Sequence, residues 1–454
     1  MKYSSEKREV NLQKNKGINS WWVVSILLFM IFNLACRSSQ EKISSPARVK
    51  VGAEVFLAEY LHLVKGRNVG LVTNPSAVDS QLRPIIDLFF HQPEIKLVAL
   101  YGPEHGVRGN AQAGEYVPFY IDHKYNLPVI SLYGQSRRPS PEMLSDIDAF
   151  MRSFDTVKEG KTLDKDNIQG LDVLIFDIQD VGTRVYTYIA TMAYCLEACA
   201  EAGVEFIVLD RPNPITGVLM EGPLLEYPQY SSFVGLYPIP LRHGLTVGEL
   251  ALYFNDRFLA KKARLRVIPT KGWRRSMWFD DTGLPWVMPS PNMPTLQTAI
   301  VYPGQVFLEG TNVSEGRGTT RPFEFFGAPW IDGYELASRL NKLNLPGVKF
   351  REAWFTPTFS KYKGELCGGC QIHVTSREEY RPLATTLWII KTIKEMYPQK
   401  FSFYPEYFDK IMGTSKVRLA LEMDQPSLEE IILSFEQEVK QFAEERRPYL
   451  LYKD

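Results

Sequence analysis

Between Asn68 and Asp210 the sequence alternates short runs of β-branched and other apolar residues with longer amphipathic stretches, and this alternation restricts the chain more than any other feature. Apolar runs of five or six residues suit strands buried on both faces, and parallel strands need a crossover helix between them. The expected strands are Asn68–Thr73, Lys96–Tyr101, Val129–Tyr133, Val173–Asp177 and Phe206–Leu209. The expected helices are Gln81–Phe90, Pro141–Phe150 and Val185–Ala202, the last closed by Gly203 as a C-cap. A doubly wound parallel sheet, hence an α/β fold, is the economical arrangement. Residues 151–169, charged and poor in apolar side chains, read as a surface insertion into it.

After Asp210 the pattern changes to proline- and glycine-rich loops, then a helix at Thr246–Leu259 and a strand at Arg264–Ile268. A boundary near there gives a first domain at 48–265 and an α+β second domain at 266–454. The second holds a long Pro/Gly-rich section, Pro285–Pro329, a strand at Cys370–Val374, and helices at Leu383–Met396 and Ser427–Glu445. With 454 residues, 45% of them hydrophobic, the chain is long and apolar enough for such cores. Lysine plus arginine equals aspartate plus glutamate at 52 each, so no overall charge draws it to nucleic acid.

The N-terminus stands apart. Lys2, Lys7, Arg8, Lys14 and Lys16 precede an uncharged run, Trp21–Phe32, too short for a membrane span and the right length for a signal peptide. Asn33-Leu34-Ala35-Cys36 follows, as in a lipoprotein cleavage site with Cys36 as the acylated residue. Residues 1–36 are therefore expected to be a signal and 37–47 a tether, with the folded part exported to the periplasm or cell envelope and held to the membrane by lipid. Of the other cysteines, Cys195 and Cys199 lie one helical turn apart and read as small buried hydrophobes. Cys367-Gly-Gly-Cys370 with His373 lacks a second pair to complete a zinc site, so packing or a disulfide is expected, and no metal.

In an open α/β sheet, ligands bind beyond the carboxyl ends of the strands. Here those ends lead into Gly102-Pro103-Glu104-His105-Gly106, into Asp177-Ile178-Gln179-Asp180-Val181-Gly182-Thr183-Arg184, and into Asp210-Arg211-Pro212-Asn213-Pro214. Asp177 and Asp210 are equally suited to capping a helix or turn. Glu104 has no helix to start and sits in a glycine-bracketed loop, which points to a site role, with His105 beside it to orient it or meet substrate. Thr246 and Glu249 fit a capping box, while Arg242 and His243 just before them are candidates for substrate contact. The polar stretch Glu309–Thr320 reads as a binding loop, although glycine and serine would suit a solvated loop too. There is no G-x-S-x-G, no G-x-G-x-x-G after the first strand and no phosphate loop around Gly160-Lys161-Thr162, so esterase, dinucleotide and nucleotide chemistry are demoted and no cofactor is expected. Carboxylate chemistry is what survives.

Taken together, GPEHG at 102–106, FDIQDVGTR at 176–184, DRPNP at 210–214, RHG at 242–244, PSPNMP at 289–294 and EGTNVSEGRGTT at 309–320 resemble the NamZ-type exo-β-N-acetylmuramidases, formerly a family of unknown function. The resemblance implies a Rossmann-like N-terminal catalytic domain, a smaller C-terminal domain and a site in the cleft between them. It implies release of N-acetylmuramic acid from the non-reducing ends of peptidoglycan fragments, a step of cell-wall recycling, with Glu104 as the key carboxylate. For the second catalytic group Glu315 comes first and Asp177 second, followed by Glu309 and Asp180. The lactyl carboxylate of muramic acid calls for cations, and Arg317 or Arg242 is preferred over Arg184. Asp180, His243 and Asn312 complete the expected contacts, with Asn312 or the region of Trp286 facing the N-acetyl group. The alternative of another class is a non-catalytic peptidoglycan-binding lipoprotein holding glycan on Trp273, Trp278 and Trp330.

Overall fold

The structure, a computed structural model, describes residues 48–134, 137–152, 170–423 and 425–454; the expected signal, tether and Cys36, and nearly all of the 151–169 insertion, lie outside them. The central sheet is built from β1 (Asn68–Thr73), β2 (Lys96–Gly102), β3 (Tyr120–Asp122), β4 (Leu127–Ser131), β5 (Val173–Asp177) and β6 (Glu205–Leu209). A two-stranded ribbon, β7 (Glu221–Leu224) and β8 (Pro240–Arg242), precedes the last strand of the sheet, β9 (Arg264–Ile268). Its order is β3-β4-β2-β1-β5-β6-β9, and every pairing is parallel except the edge pair β3–β4. This is the expected α/β arrangement, with its reversal of direction falling between β1 and β5.

Side chains of the inner strands alternate between two apolar layers. Val69, Leu71, Val173, Ile175, Ile207 and Leu209 face the helices Gly52–Glu59 and Ile85–Phe90, while Val72, Leu174, Phe176, Phe206 and Val208 face the helix Tyr188–Ala202. Burial on both faces explains why these strands read as unbroken apolar runs. Two expected helices are shorter or broken. The turn at Leu82, with φ +64°, delays the first until Ile85, and Asp146, with φ −149°, splits the second into Glu142–Ser145 and Ile147–Arg152.

The remainder packs around a smaller antiparallel sheet in which β12 (Cys367–Val374) lies between β10 (Phe325–Ala328) and β11 (Val348–Phe355). The Cys-Gly-Gly-Cys run is the start of β12, and its glycines are there for contact: a Cβ on Gly369 would stand 1.9 Å from the Phe326 carbonyl oxygen. Both cysteines are buried free thiols, so packing accounts for them. The Pro/Gly-rich section Pro285–Pro329 contains a helix, Leu296–Gln305, started by Thr295, whose side chain accepts from the Thr298 amide. Helices Gly333–Lys342, Pro382–Met396, Pro405–Met412, Lys416–Met423 and Leu428–Glu445 complete this half.

The C-terminus is tied back to the first sheet by one buried carboxylate. Asp210, at the end of β6, accepts from the Gly248 amide (2.8 Å) and the Thr246 hydroxyl (2.7 Å) at the head of helix Val247–Arg257, and from the Tyr452 hydroxyl at 2.6 Å. Burial pushes its pKa up to about 6, against the donors that favour the charged form. The Tyr452 oxygen also accepts from the Thr270 amide. Tyr452→Phe should therefore cost about 3 kcal/mol in a denaturant titration, because it strands a buried amide and removes a donor from a buried carboxylate; a loss under about 0.5 kcal/mol would deny that this clamp matters.

Candidate active site

Where β2 ends, the chain enters the loop that carries Glu104. His105 and Gly106 both take left-handed backbone angles, φ +71° and +76°, a conformation common for glycine and tolerated by histidine. The Glu104 and His105 side chains lie in the wall of a cavity of about 320 Å³. The Glu104 carboxylate accepts from the Gly114 amide (3.1 Å) and from the hydroxyl of Thr187 (2.7 Å), the residue that opens helix Tyr188–Ala202. The Tyr133 phenol, just beyond β4, stands against it too: burial, and then the Glu104 charge, push that phenol up to about 12, so it remains a donor. Among the described residues Glu104 has no ion-pair partner.

His105 is the neighbour of Glu104 in space as well as in sequence. Its Nδ1 lies 2.7 Å from the Ala111 carbonyl oxygen, which can only accept, so Nδ1 carries the proton and Nε2 is left as the acceptor. Burial lowers its pKa below the usual 6.5, outweighing Glu104, which alone would raise it. The ring is therefore neutral near pH 7.

The opposite wall comes from the C-terminal half. Tyr302 lies on helix Leu296–Gln305, Glu309 on the turn after it, Arg317 on the polar loop, Phe323 just past that loop, and Tyr407 on helix Pro405–Met412. Arg317 is bound to Glu309 (2.6 Å) and lies 3.4 Å from Glu315. Burial alone would lower its pKa, and the two carboxylates more than reverse this. Glu309 also accepts from the Tyr407 hydroxyl at 2.8 Å. Glu315 is held by Lys361 at 3.0 Å, whose ammonium also donates to the Leu308 and Val313 carbonyls. Glu315 and Lys361 line a second space of about 400 Å³ that shares Ala113, Asn292, Glu309, Arg317 and Tyr407 with the first.

Several expected contacts fall elsewhere, each because the side chain has a structural partner. Asp177 is locked in a bidentate pair with Arg211, 2.5 and 3.0 Å, beneath the sheet end, which removes it from the cavity. Asp180 receives the Gly182 amide, and His243, whose Nδ1 accepts from the Leu245 amide, lies 3.7 Å from it through Nε2; both are buried behind the wall. Arg242 is buried over the Trp278 ring with a bond to the Ile215 carbonyl, and burial pushes its pKa down to about 10. Arg184, fully buried, donates to the carbonyls of Pro223, Ile239, Ile411 and Met412. Asn312 bridges the Lys400 carbonyl and the Ser402 amide. Trp286 donates to the Met293 carbonyl, and Trp273 and Trp278 are buried. Of the residues singled out from the sequence, Glu104, His105, Glu309 and Arg317 meet in the first space, with Glu315 next door. The sequence reading missed Tyr133, Arg137, Thr187, Tyr302, Tyr407 and Lys361. Thr187 follows a strand whose carboxyl end already carried a polar motif, a signal that was there to use; Tyr133 falls inside the expected strand Val129–Tyr133, whose end carried none, and Tyr407 and Lys361 sit in no polar motif.

The N-terminal model of the exo-beta-N-acetylmuramidase NamZ family matches residues 69–158 and 151–297, and the C-terminal model of the same family matches 300–452. The peptidoglycan beta-N-acetylmuramidase NamZ of Bacillus subtilis (strain 168) is 48% identical over 434 residues, 95% of this chain and 98% of that protein. Two crystal structures of DUF1343 family proteins from Bacteroides fragilis NCTC 9343 share the fold. One has TM-score 0.78 and 37% identity, over 89% of this chain and 99% of that one; the other has TM-score 0.67 and 30% identity, over 90% and 100%.

Because its folded-state pKa lies below the unfolded value of 6.5, neutral His105 contributes stability that is present above about pH 6.5 and lost as the pH falls through the folded value. In thermal melts from about pH 7 to pH 5, His105→Gln should lose Tm less steeply than the parent. Parallel slopes would mean that the imidazole does not titrate in this way.

Proposed function

The chain belongs to the NamZ family of exo-β-N-acetylmuramidases and is a glycosidase, and from that premise we propose that it releases N-acetylmuramic acid from the non-reducing ends of peptidoglycan fragments, with Glu104 acting on the glycosidic bond. The observation that carries the role of Glu104 is its isolation from cations: Glu309 and Glu315 are spent on Arg317 and Lys361, and Asp177 on Arg211, while Glu104 meets only neutral donors at the cavity wall. Each of its oxygens accepts a hydrogen bond. That suits the basic half of the reaction, taking the proton of the attacking water or bonding the anomeric carbon directly. Neutral His105, with Nε2 as its free acceptor, is the second group able to hold a proton there. A first space of about 320 Å³ suits one substituted sugar, and the adjoining space accommodates the glycan it is cut from.

With a muramic-acid-terminated disaccharide, the parent should release free N-acetylmuramic acid by mass, and Glu104→Gln should lower kcat about a thousandfold with Tm unchanged. Glycan bound by the parent without release would replace this reading with that of a binding protein. Full turnover by the variant would move the chemistry to another residue.

We also propose that the chain is exported and lipid-anchored through Cys36, on the strength of the basic segment, the apolar run Trp21–Phe32 and the Asn33–Cys36 stretch. In fractionated cells the parent should sediment with membranes, and Cys36→Ser should lower that share severalfold. Equal partition of the two would sink the proposal.

A further inference from the structure

Three cations line the two spaces, and two of them are already committed: Arg317 to Glu309 and Glu315, Lys361 to Glu315 and two carbonyl oxygens. The third, Arg137, has no carboxylate partner among the described residues. Its guanidinium lies 4.8 Å from the ring centres of both Tyr133 and Phe233, two rings 5.8 Å apart. Contacts of that kind hold the cation by its face and leave its in-plane N–H groups free. Of five N–H donors, one is spent within the described residues, at 3.1 Å on the Tyr133 hydroxyl.

That hydroxyl is the one that stands against Glu104. The guanidinium and the carboxylate thus flank the same phenol oxygen, and a sugar with its anomeric carbon at Glu104 turns its neighbouring ring substituents toward Arg137. Position 3, two ring carbons from the anomeric centre, is where muramic acid bears its lactyl ether. Resting on the muramidase reading above, we propose that Arg137 binds the lactyl carboxylate through its free N–H edge and is the residue that makes the site select muramic acid over the same sugar without that group. This role had been expected of Arg317 or Arg242. Both are excluded by what they already hold, and a guanidinium already paired with two carboxylates has little left for a third.

The test compares two substrates that differ only in that charge: a chromogenic N-acetylmuramic acid glycoside and the same glycoside with the lactyl carboxyl converted to an amide. The parent should prefer the acid by about 10- to 100-fold in kcat/KM, the range of one charge-assisted bidentate contact. Arg137→Gln should bring that ratio to about one, mostly through KM, and Arg137→Lys should restore part of it. A parent with no preference, or a variant that slows both substrates equally and keeps the ratio, would overturn the assignment; the second result would make Arg137 a positioning residue for Glu104 through Tyr133. Cleavage of neither substrate by the parent would instead strike at the muramidase reading itself, so the two failures are told apart.

Discussion

A guanidinium sealed from water holds the two walls of the cavity together. Arg184 leaves the loop after β5 and donates at 2.8 and 2.9 Å to the Pro223 and Ile239 carbonyls of the first half, and at 3.2 and 2.6 Å to the Ile411 and Met412 carbonyls of the second. The last two close the helix that carries Tyr407, so the position of that phenol, and through it Glu309 and Arg317, is set by Arg184. Among the described residues no carboxylate pairs with it, and burial pushes its pKa down to about 9; the carbonyl dipoles offset the cost of desolvating the charge. Room for the group comes from Gly413, whose Cβ would stand 2.9 Å from Nη2. A lysine could not replace this arginine, since one ammonium cannot reach four acceptors spread over both halves.

The same logic explains where the site is not. In a doubly wound sheet the crevice at the reversal, here between β1 and β5, is the usual place for a ligand. It is closed by the Asp177–Arg211 pair and by the segment that follows β9, since Asn74 and Tyr188 both donate to the Pro289 carbonyl. The cavity with Glu104 and His105 accordingly lies off to one side, beyond β2 and β4 and at the head of helix Tyr188–Ala202. There Thr187 supplies a hydroxyl to Glu104.

How much of this was legible in advance follows from which residues act locally. β1 and β5 were read with their observed limits because strands buried on two faces advertise themselves as apolar runs; β9, an edge strand with only Ile268 buried, carries that signal more weakly although its limits agree too. Thr246 with Glu249 was readable as a capping box because its geometry spans four residues. Glu104 was readable because a glutamate in a glycine-bracketed loop has little else to do. Arg184, Arg242 and Asp177 misled because a polar residue in a motif looks the same whether it faces a ligand or braces a fold; only the carbonyls and carboxylates brought in from remote segments separate the cases. Arg137 shows the converse. Its meaning lies in Phe233, nearly a hundred positions away, and in the absence, among the described residues, of a carboxylate beside it.

Glu104 and Tyr407 stand about three hundred positions apart in the chain yet belong to one cavity. Sheet strands β1 to β6 are synthesised first and can pair among themselves, but the far wall does not exist until helix Pro405–Met412 docks on Arg184 and the tail reaches Asp210. The carboxylate that would cut glycan is thus without its opposing surface for most of the chain's emergence. A copy that stops before Tyr302 carries Glu104 but none of Tyr302, Glu309, Arg317 and Tyr407, so the cavity is complete only when both halves are.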